Sequence, residues 1–205
     1  MNEITKQGLG IAFNESRLLG IEVGTQSRRA AITLAVLTLP PGGGRSPADS
    51  RISVRLSPIG RVVASFRHGL WNDATAQVEA FVLQDLLTIV QRFGGQPVYG
   101  WEFFDIANRD LQPWFRRLSL DATLGPDGHE HNVVFFQEGP IDGKLCHLDV
   151  CLWFRDIQIV DPAGKVLELN EVIEGGKRWW DAMYANDPRT RESGIEPLAP
   201  LPDSK

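Results

Sequence analysis

The run KLCHLDVCLWF, residues 144–154, constrains the fold more than any other stretch of this chain. Its apolar residues recur at every second position. On an extended strand Leu148, Val150, Leu152 and Phe154 share one face, while His147, Asp149, Cys151 and Trp153 take the other. A helix would scatter that set around its axis, so the run predicts a long β-strand. RISVRLSPIGRVVASF, residues 51–66, carries the same alternation through Ile52, Val54 and Leu56, and Pro58-Ile59-Gly60 interrupts it. Proline and glycine inside such a run predict a bulge or bend. LLGIEV and AAITLAVLTL flank the polar break GTQSRR, and DIQIV and KVLEL flank DPAG. Both read as hairpins. RLSLDATL and NVVFFQ flank GPDGHEH and read as a third.

Two helices interrupt the strands. LQDLLTIVQRFGG aligns Leu86, Ile89, Val90 and Phe93 on one stripe and stops at Gly94. NEVIEGGKRWWDAMYAND aligns Val172, Ile173, Gly176, Trp180 and Met183, with Asn170 as the expected N-cap. Gly175 and Gly176 each weaken a helix by about 1 kcal/mol relative to alanine, so one of them is expected to admit close backbone approach. The fold class read from this pattern is α+β: mostly antiparallel β with two helices. The order strand, strand, strand, strand, helix occurs twice, which suggests two tandem ββββ(β)α repeats packed together. The corresponding boundaries are an N-terminal segment 1–14, a first half 15–95, an aromatic linker 96–111, a second half 112–186 and a proline-rich tail 187–205. LPPGGGRSPADS, residues 39–50, reads as a flexible loop.

The chain carries 42% hydrophobic and 23% charged residues, which suits a soluble globular protein with a substantial core. A net charge of −5 argues against nucleic acid, whose binders present a basic face. No apolar stretch approaches the roughly 18 residues of a membrane span, and the N-terminus lacks the pattern of a signal peptide. Cys146 and Cys151 on one strand stand about 17 Å apart, too far to pair, so buried free thiols in a reducing cytosol are expected.

The chemical candidates are few. His129 and His131 in GPDGHEH could reach one ion from a shared strand face, with Asp127 and His147 as the nearby ligands, but the set has no fixed ligand spacing. No metal and no cofactor is therefore assigned, and turn-proximal polar residues are the preferred reading. His147 and Asp149 share a face and could do acid–base work under a covering cleft. A solvent-facing strand surface is the preferred reading there. No G-x-S-x-G elbow, P-loop, dinucleotide fingerprint, H-E-x-x-H or CxxC motif occurs. The remaining signal is aromatic. HGLWND and VYGWEFFD place Trp71, Asp73, Tyr99, Trp101, Glu102, Phe104 and Asp105 in connecting segments, which suggests an aromatic and acidic binding surface if they are not core. The chain thus reads as a bacterial, cytoplasmic binding or interaction protein without catalytic activity. By analogy of class it is like immunity or accessory proteins, and its acidity suits a basic protein partner. The alternatives are a metal-assisted or His/Asp-dependent hydrolase and a carrier of a small apolar ligand.

Overall fold

The two long alternating runs pair with each other at the centre of the molecule. In the computed structural model, which describes residues 1–70, 72–104 and 116–193, β3 (Arg51–His68) and β8 (Lys144–Val160) run antiparallel from Ser53↔Val160 to His68↔Cys146. Among the described residues nine strands form one antiparallel sheet. β1 (Arg17–Gly24) and β2 (Arg29–Ala35) extend it from β3, and β7 (His131–Ile141) and β5 (Tyr99–Phe104) extend it from β8. Short strands complete it: β4 (Gln77–Val78) and β6 (Leu120–Thr123) pair with β3, and β9 (Val166–Leu167) pairs with β8. The α+β class and both outer hairpins agree with the pattern of the sequence.

The expected irregularity at Pro58 is where β3 changes neighbours. Its register against β8 shifts between Ile59 and Arg61. Before the shift β3 pairs with β2, and after it with β6 and β4. Glycine is needed on both sides of this bend, because a Cβ on Gly60 would lie 2.6 Å from Gly128 O and one on Gly128 would lie 2.3 Å from the Gly60 backbone nitrogen.

The sheet also curls. β1 and β5 stand at opposite ends of the strand order, yet the residues beside them bond. Glu15 N–H donates to Val98 O at 2.8 Å, Val98 N–H to Ser16 O at 2.8 Å, and Leu18 N–H to Gln96 O at 3.4 Å. The inner face encloses the main core, where Ile32, Val54, Val62, Leu148 and Phe154 meet Leu9 and Phe13 of α1 (Glu3–Phe13) and Ile89 and Val90 of α2 (Leu86–Arg92). Each such side chain stabilises the fold by about 1.5–3 kcal/mol through burial. Beyond β9, α3 (Leu169–Tyr184) packs on α1. No helix among the described residues is long and apolar enough to cross a membrane.

Several expectations need correction. The N-terminal segment forms a helix beyond the two expected, α1, capped by the Asn2 side chain, which accepts from Thr5 N–H at 2.9 Å. The expected aromatic linker contributes strand β5, because Trp101 and Phe103 alternate into the core. RLSLDATL and NVVFFQ do not form a hairpin, since β6 pairs with β3 while β7 pairs with β5 and β8. α3 begins at Leu169 with Glu168 as N-cap, and its core tryptophan is Trp179, which packs with Leu39 and Met183. Both long strands are followed by a two-residue strand paired to their ends and then by a helix, β4–α2 and β9–α3. This likeness is one of element order, and a single sheet and main core run through both halves.

Candidate functional site

Small residues set the walls of a groove beside α1. A Cβ on Gly8 would lie 2.8 Å from Ile173 Cγ2, and one on Gly176 only 2.6 Å from Ala12 Cα, so α1 and α3 pack backbone to backbone. A Cβ on Gly10 would lie 2.9 Å from Trp101 O, so α1 also abuts β5. Between α1, β5 and α3 lies a groove of about 1000 Å³. Gln7, Ile11 and Asn14 line it from α1, consecutive residues Gly100–Phe103 from β5, and Lys177, Trp180, Asp181 and Tyr184 from α3.

Trp101 is its floor. It is 3% exposed, stacks on Phe135 at 4.7 Å and meets Phe13 edge-on at 5.0 Å. Its indole N–H has no acceptor among the described residues. On the opposite wall the Trp180 indole donates to Ile11 O at 3.0 Å, and the ring tilts against Tyr184 at 6.1 Å. Tyr184 is 63% exposed, and Ile11 is also open to solvent. Both lysines at the groove have a carboxylate neighbour: Lys177 sits 3.0 Å from Glu174 and Lys6 3.9 Å from Glu3. The carboxylates of Glu102 and Asp181 have no ion-pair partner among the described residues. Glu102 lies opposite Val134, so its side chain leaves the sheet on the face away from Trp101 and Phe103.

The expected binding residues therefore separate. Glu102 borders the groove while its side chain leaves on the opposite face, and Trp101 lines it. Tyr99 does not, because Gly100 adopts φ +58° and the register shifts there, which turns Tyr99 to the outer face against Phe136 at 5.7 Å. Asp73 holds a turn, accepting from Thr75 N–H at 2.8 Å and Thr75 O–H at 2.7 Å, and these bonds keep its carboxyl below the usual range. Trp71, Asp105 and the Phe104 side chain lie outside the described residues.

His147 and Asp149 do come together, with partners the sequence does not reveal. His147 Nδ1 lies 3.3 Å from Glu138 Oε2 and its Nε2 lies 3.1 Å from Asp149 Oδ1. The Arg67 guanidinium donates to the other Asp149 oxygen, and Phe136 stacks on the imidazole at 5.1 Å. His147 is 1% exposed, which corrects the expectation of a solvent-facing strand surface. The outer face of β8 carries a second core there, built from Val63, Cys151 and Trp153. Tyr99 lies near this network, and burial, then Glu15 and Glu138, raise its phenol pKa. With a carboxylate beside each ring nitrogen, the buried imidazole links Glu138 to the Asp149–Arg67 ion pair.

The other two histidines separate. His129 packs beside Trp153 at 6.4 Å and its Nε2 lies 3.1 Å from Gly125 O. His131 packs beside Phe154 at 5.9 Å, with its Nε2 3.0 Å from the Met1 amine. Trp153 and Phe154 are successive residues of β8, so the two imidazoles occupy opposite faces of the sheet and do not share an ion. Among the described residues no group of three His, Cys, Asp or Glu side chains is placed to hold a metal.

One arrangement escapes sequence reading altogether. Cys146 Sγ lies 3.5 Å from His68 Nδ1, His68 Nε2 lies 2.7 Å from Glu79 Oε2, and Arg92 reaches Glu79 Oε1 at 3.5 Å. The order thiol, imidazole, carboxylate is that of an activated nucleophile. Cys146 is nevertheless 0% exposed, and burial raises its pKa. No sequence spacing joins residues 68, 79 and 146; only the pairing of β3 with β8 and β4 does.

Comparison of the chain with family models, with curated proteins and with solved structures gives no match.

Proposed function

We propose that this protein is a non-catalytic interaction protein that receives a segment of a partner protein in the groove between α1, β5 and α3. The observation that carries the reading is the lining of that groove: an aromatic floor at Trp101, an aromatic wall at Trp180 and Tyr184, and exposed Ile11 beside it. Tyrosine and tryptophan supply large contact area at small entropic cost, and they dominate the centres of protein interfaces. Trp101 serves as a rigid floor held by the core, so the residues that meet a partner are those of the helices. A hydrolase built on His147 and Asp149 has less support, because the imidazole is buried with both nitrogens already facing carboxylates.

The test is selection of a displayed peptide library on the intact protein, repeated with Ile11→Glu and Tyr184→Ala. The expected result is one enriched peptide family that both variants lose while keeping the wild-type circular dichroism spectrum and unfolding midpoint. No enrichment, or enrichment that survives both substitutions, overturns the proposal.

A further inference from the structure

The charge left over in the groove points to the kind of side chain it receives. Trp180, Asp181 and Tyr184 stand together on the last turn of α3 and all line the groove. The two rings are tilted by 34° at 6.1 Å, and both line the groove together with Asp181. The lysines at the groove are engaged by Glu3 and Glu174, whereas Asp181 has no ion-pair partner among the described residues. The local excess is therefore negative and lies on the same helical turn as two aromatic rings. A planar guanidinium satisfies both features at once, stacking on the ring face and donating to the carboxylate. A lysine ammonium is more strongly hydrated and has no plane to stack, so it fits less well.

We infer that Trp180, Asp181 and Tyr184 form a subsite for an arginine side chain of the partner segment. This inference rests on the proposed role of the groove in binding a partner. The subsite supplies recognition and no chemistry: a cation and a carboxylate meet, and no bond is made or broken.

The probes are N-acetyl-arginine amide and its neutral isostere N-acetyl-citrulline amide, titrated into the full chain. The readout is the backbone amide resonances of Trp180 and Tyr184 and the indole N–H resonance of Trp180. The arginine probe is expected to shift them in a saturable way, the citrulline probe at equal concentration to leave them in place, and N-acetyl-lysine amide to bind more weakly than arginine. Asp181→Asn and Tyr184→Leu are each expected to weaken the arginine response by about threefold, the scale of one exposed cation–π or ion-pair contact. Equal shifts with arginine and citrulline, or none with either, overturn the subsite. The two proposals fail separately. If the displayed library still yields peptides that Tyr184→Ala abolishes, but they lack arginine, the groove reading stands and this one falls. If no peptide is enriched, the groove reading falls with it.

Discussion

Two adjacent glycines in α3 are expected to respond in opposite directions to the same substitution. Alanine is favoured over glycine inside a helix by about 1 kcal/mol, so intrinsic propensity predicts that Gly175→Ala and Gly176→Ala both stabilise. The structure separates them. A Cβ on Gly176 would lie 2.6 Å from Ala12 Cα and 2.8 Å from Ala12 Cβ. Both atoms belong to the α1 backbone or are fixed to it, so the helices must part by about 1 Å to restore ordinary contact. Overpacking of this kind costs about 1–3 kcal/mol and outweighs the propensity gain, leaving Gly176→Ala less stable by up to about 2 kcal/mol. A Cβ on Gly175 would lie 2.4 Å from Thr38 Oγ1. That atom is the end of a side chain and moves away by one χ1 rotation, so Gly175→Ala should be neutral or more stable by about 0.5–1 kcal/mol. Urea unfolding of the three proteins reads the difference as a shift in midpoint at constant slope. If both variants gain about 1 kcal/mol, α1 does not press on α3 and the groove wall described above is wrong.

Further outcomes follow from the outer face of the sheet. Burial pushes the Cys151 thiol up to about 12. A thiol whose folded pKa is raised contributes stability that is complete below the unfolded value near 8.5 and is lost as pH rises toward the folded one. Stability should therefore fall between about pH 9 and 12, and Cys151→Ala should flatten that slope in urea titrations across the range. His147→Leu removes the link between Glu138 and Asp149 and leaves both carboxylates without the imidazole. It is expected to destabilise by about 2–4 kcal/mol in the same assay, whereas loss of less than about 0.5 kcal/mol would show that the network is not holding this face. Tyr184→Ala should stay within about 0.5 kcal/mol of wild type, as befits an exposed side chain.

What the sequence made legible followed the strength of its periodicity. The runs at 51–66 and 144–154 declare their two faces, and Pro58 and Gly60 mark the bend between them. α2 appears where expected because Leu86, Ile89, Val90 and Phe93 form a complete stripe. α1 is not legible in the sequence because Gly8 and Gly10 lower local helix propensity. The tertiary reason for them, contact with Ile173 and Trp101 O, is not visible in the chain itself. Asn2 followed by Leu9, Ala12 and Phe13 was the available signal. β5 was read as a linker because Gly100 breaks its alternation and reverses Tyr99. The burial of His147 was hidden because alternation assigns residues to faces without saying whether a face is covered. The same limit applies to the site. Trp101 and Glu102 were named from their aromatic and acidic setting, but Trp180 and Tyr184 sit in a helix distant in sequence. Only the contact of α3 with α1 brings them to β5.

The most direct measurement is hydrogen–deuterium exchange on the intact protein with and without an excess of the peptide that library selection returns. Slowed exchange should map to residues 3–14, 99–104 and 177–184 together, with the outer face of β3 and β8 unchanged. Protection confined to any other surface, with those three segments exchanging as in the free protein, would contradict the account.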